Sequence, residues 1–143
     1  MRFLIILTSL VTACNVFCLN EVNGQTKSAN DLPGNEAVSI EKLEWIAGED
    51  KPHVAVRFVL KNNTDNKVIK SAQFTIVAQN SKGVILQDGG TTLRKLSDTA
   101  TIGPGKNGAI FFEKAFTGSG VDQIELKKVI VQFTNGSLEV LDN

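Results

Sequence analysis

The chain has little of what catalytic sites are built from. Its 143 residues include one histidine, no tyrosine, one tryptophan and two cysteines, whereas a zinc site or a nucleophile–base triad needs several such groups converging. There is no Gly-x-Ser-x-Gly elbow to activate a serine. Charge of one sign is also missing. Fifteen Lys and Arg balance fifteen Asp and Glu, which removes the basic surplus that nonspecific nucleic-acid binding depends on. Long hydrophobic runs are absent as well: the apolar stretch after Met1 and Arg2 is interrupted at Asn15, short of the roughly 20 residues that span a bilayer. Both cysteines, Cys14 and Cys18, lie in the N-terminal stretch, so the globular part contains no internal disulfide. What the chain does have is globular composition, 42% hydrophobic and 21% charged.

The N-terminus reads as an export signal over residues 1–19: one positive charge, a short apolar run, then small residues. Within it Val11-Thr12-Ala13-Cys14 resembles a bacterial lipobox, an aliphatic residue and two small ones ahead of the cysteine whose thiol is acylated. That resemblance implies lipidation at Cys14 and a membrane-anchored product, periplasmic or at the cell surface. A soluble export signal cut after Cys18 or after Gly24 fits the same stretch. Residues 20–36 are polar and rich in Asn, Gly and Ser without apolar period, and read as a flexible linker.

Over residues 37–143 the period becomes two. Val38-Ser39-Ile40-Glu41-Lys42-Leu43-Glu44-Trp45-Ile46 supplies a first strand. Val54, Val56, Phe58 and Leu60 share one face of the next, and Ala72, Phe74, Ile76 and Ala78 one face of another. Asn62-Asn63-Thr64-Asp65-Asn66 is a turn cluster, and Asn80-Ser81-Lys82-Gly83 separates the third strand from Val84-Ile85-Leu86. Gly103-Pro104-Gly105-Lys106 suits a type II turn, and it leads into a strand that puts Ile110, Phe112 and Phe116 on one face. The alternation of residues 123–133 slips at Lys127-Lys128, which predicts a bulge. Asn135-Gly136 predicts a type I′ hairpin before Leu138-Glu139-Val140-Leu141. About seven short strands without a helix predict an all-β fold, an antiparallel β-sandwich of immunoglobulin-like size.

The Asn-Asn-Thr turn, the Phe74-Thr75-Ile76 strand with Asn80-Ser81-Lys82-Gly83 after it, the central Ile102-Gly103-Pro104-Gly105 turn and the closing hairpin of residues 129–141 together resemble a group of small bacterial exported domains. These are the FxLYD-like and DUF5780-like immunoglobulin-type domains. The resemblance implies a fold and an exported setting, and brings no catalytic residue with it.

The remaining candidates for chemistry are carboxylates: Glu49-Asp50, Glu41 with Glu44, Asp122 with Glu125, and Asp88 before Gly89-Gly90. Nothing in their surroundings predicts a raised pKa, and the loops lack the dense oxygen ligands of a calcium site. No catalytic residue, metal or cofactor is assigned. A carboxylate- or calcium-dependent hydrolase is the competing enzymatic reading, with His53 its lone imidazole. The Gly103-Pro104-Gly105-Lys106-Asn107-Gly108 stretch lacks the Lys-Ser/Thr and following helix of a phosphate loop. Sequons begin at Asn62 and Asn135, and Asp98-Thr99-Ala100 resembles an O-glycosylation site of one bacterial phylum.

Surface residues are then the candidates for function. If Val54, Val56, Phe58, Ala72, Phe74 and Ile76 face the core, Phe111, Val59, Val77 and Ile130 point outward and form a partner-contact surface, divided between two sheets. Trp45, between Leu43 and Ile46, reads as core by burial statistics, and as a sugar- or protein-stacking platform if it faces out. The expected function is a noncatalytic interaction or structural module of the bacterial envelope. Its partner would be an envelope protein or a glycan, with the membrane reached through the lipid and with no nucleic acid involved. A soluble secreted binding protein or inhibitor is the alternative.

Overall fold

The computed structural model describes residues 24–28, 31–47 and 52–143. Within them the alternating segments become strands β1 (Gly24–Ser28), β2 (Val38–Ile46), β3 (His53–Asn62), β4 (Ile69–Gln79), β5 (Arg94–Ile102), β6 (Asn107–Thr117), β7 (Gln123–Phe133) and β8 (Leu138–Asp142). They form two four-stranded antiparallel sheets in the orders β1-β2-β3-β6 and β5-β4-β7-β8. The expected β-sandwich is what forms. Taking β2 to β8 as the seven immunoglobulin strands, the constant-type arrangement would place β5 beside β6, but here it stays with β4.

The core lies between the sheets, on the faces the alternation marked. Val54, Val56, Phe58 and Leu60 from β3 meet Ala72, Phe74, Ile76 and Ala78 from β4, all buried. The Phe58 and Phe74 rings stack across the gap, parallel to within 6° at 3.8 Å between centroids. Phe112 from β6 sets its ring edge-on to both, at 6.2 and 6.0 Å.

Irregularities fall where the phase of the sequence slips. Thr75 and Ile76 of β4 face Lys128 and Leu126 of β7, so Lys127 is the extra residue of the predicted bulge. The Gly103–Lys106 turn closes with Lys106 N–H donating to Gly103 O at 3.2 Å, and Gly105 takes positive φ. The hairpin at Asn135-Gly136 differs from the expected type I′ turn. Asn135 has no positive φ, and Gly136 alone takes one, with its N–H bonded to Phe133 O at 3.0 Å. The loop is therefore one residue longer, a type I turn ended by a glycine bulge. Asn135 Oδ1 favours this form by accepting from Ser137 N–H and Oγ.

β1 and β5 fall where the sequence shows no alternation, because both are edge strands. β1 has no apolar side chain and runs along β2 from Gly24 opposite Ile46 to Ser28 opposite Lys42. The linker expected over 20–36 is thus corrected over Gly24–Ser28, and also after it. Pro33 is buried, its carbonyl accepts from Ile40 N–H, and Asn35 Oδ1 accepts from Ala37 and Val38 N–H. β5 buries Leu96 and Ile102 in the core and packs Ala100 partly against it. Conversely, Val84-Ile85-Leu86 forms no strand: Ile85 makes a single bridge to Gln79.

The two ends of the sandwich are built differently. At one, Asn62 is the buried polar side chain of the described residues, at 0% exposure. Its amide donates to Lys67 O and Ile102 O at 2.7 and 2.9 Å, and its Oδ1 accepts from Thr64 N–H and Oγ1. That one side chain joins the β3–β4 connection to the end of β5 in the opposite sheet. Thr134 N–H to Val68 O and Asn63 N–H to Ala37 O complete this amide end. At the other end lie the β2–β3 and β6–β7 connections and the 80–93 excursion between β4 and β5. Trp45 Nε1–H donates to Asp122 O, Asp122 N–H to Gln79 O, and Thr117 N–H to Asp88 Oδ2.

Removing Asn62 takes the side-chain donor from the Lys67 and Ile102 carbonyls and the acceptor from Thr64 N–H, while Thr64 Oγ1 keeps its bond to Lys67 O. Asn62→Ala is expected to lower stability by about 2–4 kcal/mol, while Asn63→Ala, whose side-chain bonds are 3.3 and 3.5 Å long, should cost less than about 1 kcal/mol. Urea denaturation with unchanged m-value would check both.

Candidate functional site

Of the carboxylates proposed for chemistry, Asp122 is exposed and bonded through its backbone alone, and the other described ones are held by neighbouring side chains. Glu44, on the outer face of β2, bonds Lys42 and Arg57. Its pKa lies below the ordinary glutamate value because the Lys42 ammonium, and then the Arg57 guanidinium, hydrogen-bond the ionised form. Glu41 accepts from Ser39 Oγ at 2.8 Å. Glu125 pairs with Lys127 and accepts from Gln79 Nε2. Asp88 faces Arg94 at 3.5 Å, and the Arg94 Nε–H donates to Ala115 O, linking β5 to β6. Glu49 and Asp50 lie outside the described residues, as does Cys14. Among the described residues no three His, Cys, Asp or Glu side chains cluster closely enough to hold a metal ion.

His53 opens β3 opposite Thr117. It is half-buried rather than solvent-facing, and its Nδ1 is buried with no hydrogen-bond partner among the described residues. The sequon asparagines separate on geometry. Asn62 spends its amide on two carbonyls in the interior, whereas Asn135 and Thr99 are exposed.

The five surface candidates also separate. Trp45 and Val77 are buried, at 3% each: Trp45 takes the core reading and not the stacking platform, and Val77 is corrected from an outward contact residue to a covered one. Trp45 points inward with Leu43 and ties β2 to the β6–β7 connection through its indole N–H. Val77 is on the outward phase of β4 yet buried, next to the point where the excursion folds back, with Leu86 N–H bonded to Ala78 O and Ile85 bridged to Gln79. Phe111 is 56% exposed, while Val59 and Ile130 are half-buried. As expected, Val59 and Phe111 belong to one sheet and Ile130 to the other.

Each outer face therefore has its own patch. On the first sheet Arg57 stands between Glu44 of β2 and Phe111 of β6, with Val59 beside Lys42 and Ala109. The aromatic ring sits next to an ion-paired row. On the second sheet Ile130 of β7 lies directly across from Val140 of β8, and Leu138 lies across from Gln132. Leu138 and Val140 are exposed, and sequence reasoning missed them. The signal was present in the alternation of Leu138-Glu139-Val140-Leu141, which becomes decisive once Leu141 is known to be the buried member. On one side the patch is bordered by uncharged side chains, with Gln73 across from Ile130 and Ser71 across from Gln132, and along the strands it ends at the Lys128–Asp142 ion pair, 3.1 Å between β7 and β8. No strand of the described residues pairs with the outer edge of β8.

No family model, curated protein or solved structure matches this chain. Its function is therefore argued from these surfaces.

The depressed pKa of Glu44 has a stability consequence with a definite sign. A carboxylate whose folded pKa lies below its unfolded value stabilises the fold above the unfolded pKa, and the contribution is lost as pH falls through the folded one. Wild type should therefore lose stability on acidification below about pH 4.5, the ordinary glutamate value. Glu44→Gln should flatten that dependence and leave less stability at pH 7, as read from thermal midpoints across pH 2–7.

Proposed function

We propose that this protein is a noncatalytic interaction module of the bacterial cell envelope, exported and lipid-anchored at Cys14, which binds an envelope protein or a glycan. One observation carries the binding part: Ile130, Leu138 and Val140 form a shared apolar patch on an outer sheet face, at the edge strand β8. Solvent-facing strands ordinarily carry polar side chains there, and edge strands are usually blunted by charge. Apolar residues grouped at such an edge suit a partner that covers the face and adds hydrogen bonds along the edge. Phe111 offers a second, smaller contact on the opposite face.

The exported and anchored part is supported by the lipobox-like Val11-Thr12-Ala13-Cys14 and by the resemblance to exported immunoglobulin-type domains. The carboxylates favour binding over hydrolysis. Glu44, Glu125 and Asp88 are each engaged by a neighbouring cation, and the lowered pKa of Glu44 is the opposite of what a general acid needs.

Gentle crosslinking in cells followed by mapping of the linked peptides tests the binding reading. A specific envelope protein or glycan should link to β7–β8 peptides, and Leu138→Lys with Val140→Lys should reduce its recovery about tenfold with the fold intact, an effect of about 1.4 kcal/mol in binding. Absence of any linked partner, or equal recovery from the double variant, would count against it. Intact mass of the N-terminus tests the anchor: a diacylglyceryl group on Cys14 supports it, and a mature chain beginning at Leu19 or Gln25 replaces it with a soluble binder.

A further inference from the structure

We infer that the 80–93 excursion seats the sandwich end-on against the lipid bilayer, with Val84 and Ile85 entering the boundary between headgroups and acyl chains. The inference rests on the anchoring at Cys14 proposed above, and it adds which end of the domain the anchor turns toward the membrane.

The first argument is where the chain enters the fold. Gly24 pairs with Ile46, the last residue of β2, so β1 begins at the excursion end and runs away from it. That this is the end holding 80–93 follows from the bonds from Trp45 to Asp122 and from Asp122 to Gln79. Nine residues, 15–23, separate Cys14 from Gly24. Ten steps of chain reach at most about 35 Å fully extended, and about 17 Å as a random coil. The strands of β4, β6 and β7 are 11 residues long, which is about 36 Å at the usual rise. A lipid at Cys14 thus keeps the excursion end, and not the amide end, next to the bilayer.

The second argument is what that end displays. Six large hydrophobic side chains are exposed among the described residues, and three of them, Val84 at 55%, Ile85 at 48% and Leu93 at 49%, belong to this one excursion. They are presented by a shaped backbone. Asn80 Oδ1 accepts from Lys82 and Val84 N–H, and Gly83 N–H bonds Asn80 O, making a tight turn that ends at Val84. Farther on, Asp88 and Thr91 exchange backbone hydrogen bonds around Gly89 and Gly90, both at positive φ, the geometry of a type I′ turn. The carboxylate of the excursion, Asp88, is engaged with Thr117 N–H and Arg94. It is withdrawn from the surface that would meet phosphate headgroups, while Lys82 at the tip is exposed.

The third argument is energetic. A few aliphatic side chains are too weak to hold a soluble protein on a membrane, since even one myristoyl chain does so only marginally. Tethering makes their insertion intramolecular, at the high effective concentration of a short linker. Docking then follows from the anchor, and it leaves the β7–β8 face and Phe111 standing clear of the lipid.

The test uses the full chain, produced in a bacterial host and reconstituted into phosphatidylethanolamine–phosphatidylglycerol vesicles whose acyl chains are brominated near the headgroups. Tryptophan fluorescence is compared for Ile85→Trp and Leu138→Trp, both exposed positions, over the common background of buried Trp45. Emission from Ile85→Trp should fall at least about twofold relative to unbrominated vesicles, while Leu138→Trp stays within background. Cys14→Ser should abolish the Ile85→Trp quenching. Acylated Cys14 by mass with equal or absent quenching at the two positions would overturn the docking and leave the anchor standing. An unmodified Cys14 with no quenching would overturn both.

Discussion

The stacked rings of Phe58 and Phe74 set the geometry on which the rest of the sandwich depends. One ring comes from each sheet, and at 3.8 Å they leave no room for the sheets to slide or part without losing contact over both faces. Phe112 stands beside the pair at a steep angle, 6.2 and 6.0 Å from the two ring centroids, and closes the flank of the stack. With β3 and β4 locked back to back, strict alternation fixes the inward or outward phase of every neighbour hydrogen-bonded to them. Phe111 is exposed because Phe112 is not. Ile130 faces outward because Val129 and Val131 are buried.

Phase is reset only at bulges, and these have consequences for surface chemistry. Lys127 absorbs one residue between Leu126 and Val129, so the long β7 keeps Ile124 and Leu126 and also Val129, Val131 and Phe133 in the core. Without it, the distal half of β7 would turn its valines outward and bury Ile130 and Gln132. The apolar patch of Ile130, Leu138 and Val140 exists because the register is restored before β8 pairs.

The ends of the sandwich divide the remaining work. At the amide end short side chains close loops by hydrogen bonds to backbone, with Asn62 supplying the link between sheets. Such an end is compact and polar. The opposite end has Trp45, Arg94 and Asp88 as its ties, and allows a 14-residue excursion to leave β4 and return as β5. Apolar side chains that find no place in the core are concentrated on that excursion and on the edge at β8, the two regions where another surface can cover them. Some ionisable side chains of the strands are instead engaged in ion pairs, across strands for Glu44 with Arg57 and Lys128 with Asp142.

The sequence by itself determined the class of fold, the inner faces of β3, β4 and β6, the bulge in β7 and the turn at Gly103, since each of these is written in local periodicity or local backbone preference. It also limited the chemistry, by the residues it lacks. Tertiary structure decided what depends on neighbours distant in the chain. β1 and β5 are strands because β2 and β4 offer them edges, and edge strands need no hydrophobic period. Val77 lies on the outward phase and is nonetheless buried at the end of β4 where the excursion pairs back, and Trp45 bonds a carbonyl 77 residues away. Leu138 and Val140 become a surface only when β8 pairs with β7 beside Ile130. Periodicity assigns a face to each side chain, but what lies over that face is set by contacts between segments that no local pattern encodes.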